Sequence, residues 1–386
     1  MQGDPTSTDT ASGVARGLGG ENARAVYRDL LRFGPRSRRD LTTRLGMSAP
    51  TVTRLTRDLL GVGHLRTLEP VARSKGRPQE PLDIEENLGP RFIGVKVTAD
   101  EIHTVVTTVR GNALEELVLP LDGTDPGTVE DAIAEPAAAL AEAHPRVAGI
   151  GVSLGGRVAE RRRVVSSTML GWTQPHDLAD HLEQRLGLPV AVDNDLAAMV
   201  HGLHWFGLGR RYRSFCVLTI GAGVALGTVV EGRLITGHSH LAGVTERLPV
   251  GVGPDGAPLT LGDAARTRAV LHRAEERGVL APGEGVARLR EKLAAADPGA
   301  LELCAELARI VARAVAAVVA LVDPEAIVLG GENIDLVRAV DPEFEQALRE
   351  ATVPAQHGLA IRELSTEFDQ WARGAAVLAI QEFVGP

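Results

Sequence analysis

The hydrophobic period of this 386-residue chain changes near Pro90, and that change limits its possible folds more than any other feature. Before it, apolar residues recur at helical spacing in three short runs. Ala25, Val26, Leu30 and Leu31 mark the first run, which Gly34-Pro35 stops. Ser37 caps the second, Arg38–Leu45, where Leu41 and Leu45 stand four apart and Gly46 closes the helix. Ser48 caps a third beginning near Ala49. Pro50 is tolerated in its first turn, where a missing N–H loses no intrahelical partner, and Val52, Leu55 and Leu59 form its stripe.

After Pro90 short strands alternate with helices. Phe92–Val97 and Ile102–Val109 read as strands, with another beginning at Asn112. The helix Thr128–His144 and the strand Val147–Val152 follow, then the helix Pro175–Leu186 and the strand Val190–Val192, which runs into Asp193-Asn194-Asp195. Phe215–Ile220 and Ala225–Val230 pair around Gly221-Ala222-Gly223, and the helix Leu301–Val322 precedes the strand Ala326–Leu329 and Gly330-Gly331. A strand, glycine turn, then strand or helix, used twice, predicts an α/β body of two lobes with a cleft between them. The expected organisation is a disordered tail over residues 1–20, a winged helix-turn-helix over 21–85 and the two-lobed body over 90–386.

The turn Gly46-Met47-Ser48 between two short helices gives the helix-turn-helix arrangement. Ser48, Thr51, Thr53, Arg54 and Arg57 fall on the exposed side of the second helix, as hydroxyls and guanidinium forks suited to phosphate oxygens and to guanine edges in a major groove. The segments Gly63–Leu68 and Pro81–Ile84 can pair as a wing. Its tip, Arg73-Ser74-Lys75-Gly76-Arg77-Pro78, is a basic segment of the kind that enters a minor groove, so Arg73, Lys75 and Arg77 join the expected DNA contacts.

Charge agrees with this division. Residues 21–80 carry 13 Lys and Arg against six Asp and Glu, a balance of +7, which leaves −16 for the remainder of a chain whose total is −9. A basic block ahead of an acidic body suits a nucleic-acid contact at one end, although charge alone fits a solvated surface equally well. The longest apolar helix candidate, Leu307–Val322, is interrupted by Arg309 and Arg313, so no membrane span is expected. Cys216 and Cys304 lie in separate apolar segments without metal-ligand spacing and read as buried thiols of a reducing, cytoplasmic compartment.

The block Asn22–Arg66 with Gly76-Arg77-Pro78, joined to Gly149-Ile150-Gly151-Val152-Ser153, Asp193-Asn194-Asp195, Gly221-Ala222-Gly223-Val224, Leu241-Ala242-Gly243 and Pro324–Gly331, resembles the ROK family of repressors, open reading frames and sugar kinases. The resemblance implies an actin-like, hexokinase-like ATPase fold and, in the regulator branch, an N-terminal winged helix-turn-helix. Kinase members of that family open the body with an Asp-x-Gly-Gly-Thr phosphate loop. The aligned stretch here is Lys96-Val97-Thr98-Ala99-Asp100, in which lysine replaces the metal-binding carboxylate and side chains replace both glycines. Lys96 could hold an anion or sit as a cation at the core edge.

The resemblance also places Asn194 and Asp195 at the family's sugar site, the Asp being the general base in kinases. An Asp at a strand end can equally cap the following helix. The pattern Ala-Gly-Glu-x-Gly-His becomes Ala242-Gly243-Val244-Thr245-Glu246-Arg247, and the cysteine-rich zinc segment becomes Gly253-Pro254-Asp255-Gly256-Ala257-Pro258-Leu259-Thr260, so the family's zinc site is not expected. Glu246 and Arg247 either touch a ligand or form a surface salt bridge. Gly221–Gly223 and Gly330-Gly331 survive where the family binds nucleotide, but tight turns need small residues in any case.

Residues and resemblance together predict a kinase-dead transcriptional regulator; the resemblance implies a repressor, the family's common mode, while activation is physically just as possible. Its expected partners are a double-stranded operator and a sugar or sugar-derived effector at Gly156, Asn194, Asp195, Glu246 and Arg247. It would act as a homodimer or higher homo-oligomer without cofactor or metal, in the cytoplasm at the nucleoid. Two alternatives stay open: a ligand-independent regulator that uses the body only to dimerise, and an active sugar kinase with a DNA-binding arm.

Overall fold

The structure is a computed structural model that describes residues 18–70, 80–253, 256–364 and 369–385. It divides into two compact units, Met1–Arg210 with Phe368–Pro386, and Arg211–Glu367.

The first unit opens with the helices α1 Glu21–Phe33, α2 Arg38–Leu45 and α3 Ala49–Gly61. Ser37 and Asp40 close α2 with a reciprocal capping box, Gly46 ends it in the left-handed region, and Ser48 caps α3. The short strands β1 Leu65–Thr67 and β2 Leu82–Ile84 pair antiparallel as the expected wing. The wing tip with Arg73, Lys75 and Arg77 lies outside the described residues, as does most of the expected tail. Leu18, at the described end of that tail, is buried against α1 rather than solvated. Asp29 in α1 binds Arg36 at 3.0 Å and Arg44 at 2.9 Å, which ties α2 to α1.

The α/β part of this unit is a five-stranded sheet ordered β5-β4-β3-β6-β9, formed by β3 Arg91–Val97, β4 Glu101–Thr108, β5 Ala113–Pro120, β6 Val147–Leu154 and β9 Val190–Asn194. β3, β4 and β5 run antiparallel, whereas β6 and β9 continue from β3 in parallel. Helix α4 Pro126–Ala143 and helix α5 Leu178–Leu186 cover one face, sealed by Ile133, Leu140, Val152 and Leu182. Helix α6 Asp195–Trp205 and the C-terminal helix Asp369–Val384 cover the other. That C-terminal helix lies directly on the strands because Gly94 and Gly151 carry no Cβ: one added at Gly151 would stand 1.8 Å from the Ala375 carbonyl oxygen.

Helix α5 begins at Leu178, three residues later than the expected Pro175. The cause is His176, which exchanges both backbone hydrogen bonds with Val164 and so extends the hairpin of β7 Arg157–Ala159 and β8 Arg163–Ser166. The N-terminal helices and the α/β part share one apolar cluster, in which Tyr27, Leu30 and Ile84 meet Phe92, Trp205, Ile380 and Val384.

The second unit repeats the topology. β12 Arg233–Leu234, β11 Val224–Val230, β10 Phe215–Ile220, β13 Ala326–Gly330 and β14 Ala360–Glu363 lie in that order, the first three antiparallel and the last three parallel. The helix Pro298–Val322 packs Leu307, Val311, Val315 and Val319 into the core. Cys216 and Cys304 are buried there, and desolvation pushes each thiol up to about 11. Among the described residues no helix is long and apolar enough to cross a membrane.

Candidate functional site

Helix α3 turns Val52, Leu55 and Leu59 inward and leaves Thr53, Arg54 and Arg57 exposed. Ser48 and Thr51 are less free than their types suggest: their hydroxyls lie 2.8 Å apart, and the Ser48 oxygen accepts the Thr51 N–H to cap the helix. Arg54 and Arg57 share one acid, Asp58, at 3.5 and 3.7 Å. Exposed pairs of this kind contribute only about 0–1 kcal/mol, so a phosphate can compete for either guanidinium.

Within the first unit the structure gathers Gly156, Asn194 and Asp195 at the ends of β6 and β9. Asn194 caps α6, its Oδ1 accepting the N–H of Leu196 at 3.0 Å and of Ala197 at 3.3 Å, while its Nδ2 donates to the Gly156 carbonyl at 2.9 Å. The cap at this strand end is therefore Asn194, and Asp195 is the first residue of the helix. Asp195 Oδ1 accepts its neighbour's N–H at 2.8 Å, and its Oδ2 receives the Lys96 ammonium at 2.5 Å. Lys96 is only 6% exposed, and its Nζ also sits 5.2 Å from the centre of the Trp371 ring. The lysine read from sequence as a possible anion holder thus holds the chain's own carboxylate.

Glu246 and Arg247 belong to the second unit. Glu246 pairs with Arg266 at 3.6 Å, and Arg247 is exposed. In the turn Gly221–Gly223, the Glu332 carboxylate accepts the Ala222 N–H at 2.9 Å. A Cβ on Gly221 would stand 2.5 Å from that carboxylate, so the glycine there makes room for Glu332. Gly331 has φ of +93° and lies against the Ile220 backbone, which is the geometric need for glycine expected of that turn. Glu332 escaped the sequence reading, and its position directly after Gly330-Gly331 was the available signal. Beside the turn lies a cavity of about 960 Å³ bordered by Ala222, Asp263, Arg266, Thr267, Arg268 and His272.

Residues 92–382 match the family model described as "ROK family". A glucokinase of Streptomyces coelicolor is 30% identical over 259 residues, 62% of this chain and 81% of that protein. A transcriptional regulator of Mycobacterium bovis is 25% identical over 378 residues, 92% of this chain and 85% of its own length. A solved ROK family transcriptional regulator, described as a homolog of the E. coli MLC protein, superposes with a TM-score of 0.81 at 23% identity, covering 94% of this chain and 96% of that one. This glucokinase aligns with about three fifths of the chain, whereas these two regulators align with more than nine tenths of it. This chain belongs to the ROK family, and it is regulator-like along nearly its whole length.

Proposed function

We propose that this chain is a DNA-binding transcriptional repressor whose kinase-like body no longer phosphorylates sugar and instead responds to a sugar or sugar-derived ligand. The observation that carries the reading is the outward face of α3, where Thr53, Arg54 and Arg57 stand exposed beside a paired wing. In a homodimer or higher homo-oligomer two copies of α3 would enter successive major grooves. Phosphate contacts would supply affinity, Thr51, Thr53 and Arg54 would read bases, and Arg73, Lys75 and Arg77 would follow the minor groove.

Catalytic silence rests on two internal ion contacts. A general base must accept the substrate's hydroxyl proton. Asp195, the residue at that position, is already committed to Lys96, which itself replaces the metal carboxylate of kinase members. In the other unit, the backbone N–H of Ala222 is taken by Glu332, whose charge repels a phosphate from the same turn. The effector would be bound, not converted, with the Lys96–Asp195 pair offering a donor and an acceptor to a hydroxyl.

The test uses the purified protein and fragments recovered by genome-wide mapping of its bound sites. Arg54→Ala should weaken specific binding about 10- to 100-fold and relax base preference at one position. Arg77→Ala should weaken binding evenly across sequences and lower the salt dependence. If both variants bind like the parent, the assignment of the DNA surface fails. Phosphorylation of any hexose with ATP would overturn catalytic silence. A second reading, a regulator without effector, is favoured by the use of Asn194 and Asp195 in internal contacts. Thermal-shift titrations with sugars and sugar phosphates separate the two, since a bound effector raises the melting temperature with its concentration.

A further inference from the structure

We propose that Glu130, His176 and His181 form a site for a divalent transition-metal ion of the zinc class on the first unit. Three separate stretches bring one ligand each: Glu130 from α4, His176 from the stretch that pairs with Val164, and His181 from α5. His176 Nε2 lies 2.7 Å and His181 Nδ1 2.6 Å from the same oxygen, Oε1 of Glu130. The two imidazoles meet edge to face, with ring centres 4.9 Å apart. All three donor atoms lie within 4.8 Å of one another.

Two imidazole nitrogens and one carboxylate oxygen are a donor set that suits zinc and its neighbours. In a tetrahedral site with bonds of about 2.0–2.1 Å, donor atoms stand roughly 3.3 Å apart. Each imidazole therefore has to draw back from the carboxylate by only about 0.7 Å, which small side-chain rotations provide. Glu130 and His176 are largely buried, with 14% and 18% of their side chains exposed, whereas His181 at 45% leaves one side open for entry and for a water ligand. The surroundings fix the ligands: Trp172 packs edge-on against His176 at 5.2 Å, and its Nε1 donates to the Thr124 carbonyl just ahead of α4. Neighbouring Asp177 is engaged by Arg163, so the ligand set stays at three side chains plus solvent.

The position gives such an ion a structural consequence. His176 ends the stretch that starts with β8, and the middle of that stretch lines the Gly155–Gly156 turn. Ser167 Oγ donates to the Gly155 carbonyl at 2.6 Å, and Met169 Sδ lies 3.3 Å from where a Gly155 Cβ would be. A bound ion would cross-link α4 and α5 to the segment that walls the Asp195 region.

The experiment uses full-length protein stripped with a chelator, desalted, and titrated with Zn²⁺ and separately with Co²⁺. One Zn²⁺ per chain should survive desalting, Co²⁺ should give the visible bands of a tetrahedral or five-coordinate site, and the melting temperature should rise with Zn²⁺. His181→Ala, at a half-exposed position, and Glu130→Gln, which keeps the shape, should each lower affinity at least 10-fold and abolish the Co²⁺ bands. His238→Ala/His240→Ala, on the exposed surface of the other unit, should change neither. Failure to retain Zn²⁺ would overturn the proposal, as would retention insensitive to His181→Ala and Glu130→Gln or lost only with His238 and His240.

Discussion

Breaking the Lys96–Asp195 pair from its two sides should give unequal costs, and the inequality follows from burial. Lys96 is 6% exposed and Asp195 25%. Removing one partner of a buried pair costs about 3–5 kcal/mol because the survivor is left charged without compensation. In Asp195→Asn the survivor is the ammonium, which retains the Trp371 ring 5.2 Å away, a contact contributing about 1 kcal/mol. A loss of about 3–4 kcal/mol is expected. In Lys96→Met the survivor is a quarter-exposed carboxylate that water can reach and that still accepts the Leu196 N–H at 2.8 Å. The loss should be only about 1–2 kcal/mol. The double variant replaces the pair with neutral groups of similar volume and should return to within about 1 kcal/mol of the parent, a coupling of at least about 3 kcal/mol. Urea denaturation followed by intrinsic fluorescence suits the measurement. All three tryptophans, Trp172, Trp205 and Trp371, lie in the first unit and report its unfolding alone. If Lys96→Met proved the costlier change, or if the cycle gave a coupling below about 0.5 kcal/mol, the buried pair would not exist as described.

Gly151→Ala should destabilise by at least about 3 kcal/mol or prevent soluble expression, since its Cβ would meet the Ala375 carbonyl at 1.8 Å. Gly171→Ala, in an open left-handed turn at φ +73°, should cost only about 1 kcal/mol in the same denaturation assay. Burial and the Arg32 guanidinium hold the His204 imidazole down to about 4, so below pH 6.5 the unfolded chain takes up a proton that the folded one refuses. Stability should be complete above pH 6.5 and fall by about 2–3 kcal/mol as pH drops toward 4, and His204→Gln should flatten that slope in pH-dependent melting curves. Asp58→Asn releases Arg54 and Arg57 and removes a negative charge from the α3 face, so non-specific DNA affinity should rise several-fold at low salt in fluorescence-anisotropy titrations.

What could be read from the sequence was what adjacent residues decide. Ser37, Gly46 and Ser48 punctuate α2 and α3 as their types require, and the central strands of both sheets fall where apolar runs stand between glycine turns. The start of α5 was misplaced because His176 is drawn into a pairing with Val164, which helical periodicity cannot register. The C-terminal helix was not recognised as an element, though it seals one face of the first sheet, because its apolar residues surround it instead of marking one side. The proposed ligand region follows the same rule. The sequence places Gly156, Asn194 and Asp195 near strand ends, but the partner of Asp195 lies 99 residues away on β3, and only sheet topology brings Lys96 to it.

On the proposed reading, that dependence on topology is how a kinase-type scaffold would persist without its chemistry. The ends of β3 and β9 converge whatever residues occupy them, so two carboxylates placed there would repel unless a cation bridged them. Lysine at position 96 removes the repulsion by supplying the cation covalently, as the contact with Asp195 at 2.5 Å shows. Glu332 does the corresponding thing in the other unit, where a backbone N–H left open for phosphate is closed by the chain's own carboxylate. Each contact fills, with the chain's own side chain, a place that a ligand would otherwise occupy, and each can be removed separately. Glu332→Ala should free the Ala222 N–H without touching the Lys96–Asp195 pair. A gain of inorganic phosphate or nucleotide affinity in calorimetric titration of Glu332→Ala, with hexose phosphorylation still absent, is the expected result. Unchanged phosphate and nucleotide affinity would show that Glu332 is not what keeps anions out.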